Sequence, residues 1–290
     1  VELKMGSDLI IQRSLRSELR VLWVMAHKEW LIFRRYPAWV MGYIIWPLIF
    51  PLGAIFTARA LSGPDARALP AFAALAGTDN YVGFIVIGLT VYAWINITLW
   101  EVGFHLRNEQ MRGTLESNWL CPTWRFSLLL GPSLTKLATS LCFLSLAIAE
   151  YHLFFGVPML AGNPTLFLLV LLLVIPSIYG IGIAFGSLVI RFQEAHTMVF
   201  LVRGIFMVFT GASYPLAVLP DWMQTVATWL PLTYAIQSIR AISLQGAGLS
   251  EIAADLRMLA FFALFMPVLG YLLFRFTERQ ARRTGTLGHY

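Results

Sequence analysis

Six stretches of this 290-residue chain stay apolar for about twenty residues at a time, the length a helix needs to cross the hydrocarbon core of a bilayer. They cover 38–58, 82–105, 128–155, 166–190, 197–216 and 256–276. The first is interrupted by Pro47 and Pro51. The third carries Lys136 near one end and Glu150 near the other, and the fifth carries Arg203. Backbone groups in lipid find no water, so each run reads as a helix. Composition points the same way. Only 12% of the residues are charged and 58% are hydrophobic, against about 25% charged in a soluble globular chain. The expectation is an all-α integral membrane protein with six transmembrane helices. It forms one domain over 1–290, with a tail and interfacial helix over 1–37, a bundle over 38–276 and a second tail over 277–290.

Basic residues give the orientation. Fifteen of the 21 Lys and Arg fall on one side of the six runs. They are Lys4, Arg13, Arg16, Arg20, Lys28, Arg34, Arg35, Arg107, Arg112, Arg125, Arg191, Arg275, Arg279, Arg282 and Arg283. The other side has Arg59, Arg67, Arg240 and Arg257. The basic side reads as cytoplasmic, which places both termini there and the protein in the cell membrane. The net charge of +6 flanks apolar runs instead of forming a patch on a soluble domain, so nucleic acid is not an expected partner. The first apolar run follows a polar segment and lacks a small-residue cleavage site, so it reads as a span and not a signal peptide. Cys121 and Cys142 are too few for a disulfide framework and read as free thiols.

Two further hydrophobic segments do not read as spans. Leu19, Leu22, Trp23, Ala26, Trp30 and Phe33 share one helical face, and Arg16, Arg20, His27 and Arg34 share another. Such a basic helix lies in the membrane interface, against lipid headgroups. Pro37 separates it from the first span. Over 213–243, Pro215, Pro220 and Pro231 cut the chain into pieces too short to cross. Two short helices re-entering the membrane from outside, between the fifth and sixth spans, fit this pattern. A peripheral external loop is the alternative.

The chain carries no Gly-rich phosphate loop, so it does not hydrolyse a nucleotide by itself. It has no H-E-x-x-H and no paired cysteine spacing, and no metal site is expected. His27, His105, His152, His196 and His289 are scattered, and no G-x-S-x-G elbow is present. The chain is not read as an enzyme. Glu101 and Glu150 lie near helix ends, and pairing of Glu101 with Arg203 or Lys136 is expected. An ion-coupled transporter keeps acidic groups near mid-bilayer, so an ion-coupled secondary transporter or channel is the second reading. Between the second and third spans, 108–119 mixes charge with Met111, Leu115 and Trp119 at helical spacing, and Pro122 follows. A short amphipathic helix there can dock a soluble partner or lie on headgroups.

This loop also carries a family likeness. E-x-x-x-G-T-L-E from Glu109 to Glu116, then Pro122 and LLLG ending at Gly131, resembles the membrane subunit of ABC-2 type ABC transporters. So does GASYPLAVLPDWMQTVATWLPLTYAIQSIRAI over 211–242. The resemblance implies a homodimer, each copy bound by a separate ATPase subunit that holds ATP and Mg, with no cofactor in this chain. It implies an N-terminal connecting helix with Leu19, Leu22, Trp23, Trp30 and Phe33. It places the coupling segment at Glu109, Met111, Arg112, Gly113, Thr114, Leu115 and Glu116. Substrate would pass between the two copies, along Tyr92, Asn96 and Thr98 of the second helix and Phe206, Met207 and Thr210 of the fifth. The function implied is ATP-driven export, by alternating access, of an amphipathic, lipid-like or drug-like molecule or a lipid-linked glycan.

Overall fold

The computed structural model describes residues 15–62, 69–121, 123–189 and 195–284. Lys4, Arg13, Arg67, Pro122, Arg191 and His289 lie outside these, as do the side chains of Glu116, Arg282 and Arg283. Every regular element among the described residues is helical. The helices are α1 (Leu15–Arg35), α2 (Pro37–Ser62), α3 (Leu69–Ala76), α4 (Tyr81–Glu101), α5 (His105–Met111), α6 (Leu115–Leu120), α7 (Ser127–Phe155), α8 (Pro164–Val189), α9 (Ala195–Phe209), α10 (Asp221–Ala227), α11 (Pro231–Gln245) and α12 (Leu249–Thr284). A 3-10 turn spans Leu216–Val218.

Five of these, α2, α4, α7, α8 and α12, are long and apolar enough to cross a membrane. The fifth expected span is shorter than its hydrophobic run. α9 has 15 residues, a rise of about 22 Å, against a hydrocarbon core of about 30 Å. It ends at Phe209 because Gly211, two residues on, takes a left-handed conformation at φ +65°, and the Tyr214 hydroxyl turns back to donate to the Val208 carbonyl.

Helix α4 is the centre of the bundle. Every residue from 83 to 96 is buried, with α2, α7, α8, α9 and α11 around it. The lipid-compatible side chains lie outside. Met41, Ile44, Ile45 and Ile49 of α2 are exposed, as are Leu264, Val268 and Leu272 of α12. A soluble protein does not present such continuous apolar faces to water.

Prolines inside α2 are accommodated by a neighbour. Pro51 has no N–H to give to the Pro47 carbonyl. The Tyr151 hydroxyl of α7 donates to that carbonyl instead, at 3.1 Å. In lipid such a vacancy must be filled by protein.

Helix α1 is separated from α2 by the single non-helical residue Tyr36, at the break set by Pro37. It packs along α7, where the Thr135 hydroxyl donates to the Ala26 carbonyl at 2.7 Å. The Glu18 carboxylate accepts from the Trp124 backbone N–H at 3.0 Å and from the Ser127 hydroxyl at 3.0 Å, just where α7 begins. Leu19, Trp23 and Trp30 point outward and are exposed, while Leu22 and Phe33 are half-buried.

At the opposite end of the bundle, α11 runs back along the first half of α12. Tyr234, near the start of α11, packs on Phe262 with ring centroids 6.1 Å apart. Phe262 lies thirteen residues into α12, about 20 Å of rise from its start.

Candidate functional site

The loop after α4 folds into two short helices, not the single amphipathic helix expected over 108–119. Gly113 is the reason. It sits at φ +69°, a left-handed conformation that costs a residue with a Cβ. α5 ends before it and α6 begins after it. The break sends the three apolar residues to different places: Met111 is exposed, while Leu115 and Trp119 are buried.

Glu109 holds this pair of helices together and ties it to α1. Its carboxylate is buried and accepts from the Lys28 ammonium at 2.7 Å, the Thr114 hydroxyl at 2.9 Å and the Asn118 amide at 2.8 Å. Arg112 is exposed beside it. On the other side of α6, Arg125 pairs with Glu278 of α12 at 2.6 Å. The two short helices are therefore braced against α1 through Lys28 and against α12 through Arg125, which also donates to the Trp119 carbonyl at 3.4 Å.

A second charged group lies deeper. The Lys136 ammonium of α7 is 3.6 Å from Glu101 and 3.9 Å from Glu29, and the Tyr43 hydroxyl donates to Glu101 at 3.2 Å. Glu101 thus pairs with Lys136, not with Arg203. The ligand atoms of Glu29, His105 and Glu109 all lie within 4.8 Å of one another, a juxtaposition that the scattered histidines of the sequence did not suggest. Both Glu109 oxygens in that group are already engaged by Lys28, Thr114 and Asn118.

These groups line a cavity of about 840 Å³, open to the outside of the chain. Its wall is aromatic, with Tyr43, Trp46, Trp100, Phe104 and Phe143, and it also holds Asn96, Arg112 and Arg203. Among the six residues named for a substrate path, Asn96 lines it. Tyr92 is buried and its hydroxyl donates to the Arg203 carbonyl at 3.4 Å. Thr98 and Thr210 are buried and bond the Trp94 and Phe206 carbonyls, one turn back in their own helices. Phe206 is buried and Met207 half-buried.

The far end is closed by Arg240 of α11, a residue that counting charges by loop had treated as external. It is buried, and its guanidinium donates to the carbonyls of Phe84 at 3.0 Å, Gly211 at 2.9 Å and Ala212 at 2.7 Å. It also lies over the Phe84 ring, 3.3 Å from the centroid. Gly88 permits this approach, because a Cβ there would stand 1.9 Å from the Ala212 carbonyl oxygen. The motif segment over 211–242 is therefore bonded to the start of α4.

A buried central helix, a braced pair of short helices at the basic end and a bonded cap at the other define a membrane-embedded helical bundle of the transporter kind. A family model for ABC-2 type transporters matches residues 20–244. The chain belongs to that family: it is an all-α, multi-pass membrane protein and the permease subunit of an ABC transporter, which implies an ABC ATPase as its partner. No curated protein matches the chain.

Proposed function

We propose that this chain is the membrane half of an ATP-driven exporter and works as a homodimer, with one ATPase subunit bound to each copy. The basic end faces the cytoplasm of a cell whose plasma membrane the bundle spans, with α9 and its flanking residues as the sixth crossing. α10 and α11 dip into the membrane from outside. The observation that carries the reading is Glu109, a buried carboxylate that joins α1, α5 and α6 at one node. A push on the exposed side of that node, at Met111 and Arg112, is transmitted to α1 and through it to α7. Glu109, Met111, Arg112, Gly113, Thr114, Leu115 and Glu116 are the coupling segment. ATP and Mg are bound by the ATPase, whose binding and hydrolysis bias the bundle between inward-open and outward-open states. The cargo passes between the two copies.

The test is reconstitution in vesicles with the partner ATPase, measuring transport of amphipathic candidates together with ATP hydrolysis. Vanadate-sensitive movement is the expected result. Transport driven by an ion gradient with no ATPase present would overturn the reading.

A further inference from the structure

The geometry points to a binding site for an anionic amphiphile in the 840 Å³ cavity, with Arg203 taking a phosphate or carboxylate headgroup and the aromatic wall taking the apolar part. This rests on the transport reading and names its substrate class. Arg203 lies eight residues into α9, about 12 Å of rise from the start of that helix. A cation at such depth is costly and is ordinarily paired. Arg203 makes no ion pair among the described residues. Its Nε is buried without a hydrogen-bond partner, and its guanidinium lies over the Phe200 ring, 5.5 Å from the centroid.

Asn96 supplies a second, independent sign. It is 8% exposed, its Oδ1 has no partner, and it lines the same cavity from α4. The unpartnered Oδ1 is an acceptor, so it takes a hydroxyl or a protonated phosphate O–H of the headgroup and not an ionised oxygen. Unpaired polar groups of this kind are expensive unless a ligand completes them.

Charge decides the sign of the ligand. The cavity's three carboxylates, Glu29, Glu101 and Glu109, face four cations, Lys28, Lys136, Arg112 and Arg203, which leaves one positive charge in excess. Lys136 is shared between Glu101 at 3.6 Å and Glu29 at 3.9 Å, and Glu101 Oε2 accepts no hydrogen bond. Arg203 and Arg112 make no ion pair among the described residues, so that single excess charge falls on them. A guanidinium presents a planar fork that matches the oxygens of a phosphate or carboxylate. Trp46 and Trp100 line the same cavity, and its volume falls within the range of about 300–1,000 Å³ typical of small-molecule sites.

The experiment uses the full chain in a neutral maltoside detergent, without the ATPase, so that it is independent of transport. Dodecyl phosphate is titrated below its micellar concentration and read by tryptophan emission. Dodecyltrimethylammonium and inorganic phosphate are run as comparators. The expected result is saturable binding of dodecyl phosphate, weakened at least tenfold by Arg203→Gln, less by Arg203→Lys, and about threefold by Asn96→Leu. Equal binding of the cationic amphiphile, or unchanged affinity in Arg203→Gln, overturns the site. If Arg203→Gln does not fold, unchanged affinity in both Arg203→Lys and Asn96→Leu overturns it instead. Inorganic phosphate occupying the site as tightly as dodecyl phosphate would mean a free anion, and would overturn the amphiphile. Loss of binding with transport intact refutes this inference alone, and binding without ATP-driven transport refutes only the exporter reading.

Discussion

Lys28 of α1 and Glu109 of α5 meet at 2.7 Å across 81 positions of sequence, and the carboxylate end of that pair is buried while the ammonium end is partly exposed. The pair is expected to be energetically coupled. Lys28→Met and Glu109→Gln should each lower stability, and the double variant should lose less than the two together, by about 1 kcal/mol, a modest value because Lys28 is reached by solvent. Denaturation midpoints in detergent measure this cycle. Strict additivity would mean that the contact does not hold α1 to the loop.

Gly113→Ala places a Cβ on a left-handed backbone and should cost about 1 kcal/mol. The larger expected effect is on communication. ATP hydrolysis by the assembled complex should continue while transport per ATP falls several-fold. Unaltered coupling in this variant would remove Gly113 from the coupling segment.

Arg240→Gln should destabilise the protein by on the order of 2–4 kcal/mol, because three buried carbonyls lose a charged donor. Arg240→Lys should recover only part of this, since an ammonium cannot reproduce the fork or the stacking on Phe84. Thermal unfolding followed by helical circular dichroism distinguishes the three proteins. Full recovery with lysine would show that charge alone matters there.

Tyr151→Phe keeps the ring and removes the hydroxyl that serves the Pro47 carbonyl. The expected loss is about 1–2 kcal/mol, because the carbonyl is left bare beside a proline that cannot donate to it. Restoring the donor from the other side, by Pro51→Ala, should cancel most of the loss. A variant pair with no such compensation would contradict the account of how α2 tolerates its prolines.

The long helices were legible because a twenty-residue apolar run has one outcome in lipid. The interior arrangement was less so, and the residues say why. On α1 the stripe of Leu19, Trp23 and Trp30 is the outward face, while the face toward α7 carries Glu29 and Ala26. Glu29 belongs to neither the apolar nor the basic face of the sequence pattern, so its place against Lys136 of α7 has no signal there. The end of α9 was hidden because hydrophobicity runs on through 210–216 after the helix stops. The split of 108–119 had a signal in Gly113, but composition does not say that a glycine will turn left-handed. Helix α3 is eight residues long and too short to stand out from a hydrophobic loop.

The burial of α4 has a consequence for how the protein is made. Residues 83–96 are enclosed by neighbours of which α7, α8, α9 and α11 are all later in the chain. During synthesis α4 must therefore reside in lipid before its cover exists. A helix destined for a fully proteinaceous setting is thus obliged to be as oily as one that faces the bilayer for life, and Thr90, Asn96 and Thr98 mark how few polar groups that waiting period tolerates.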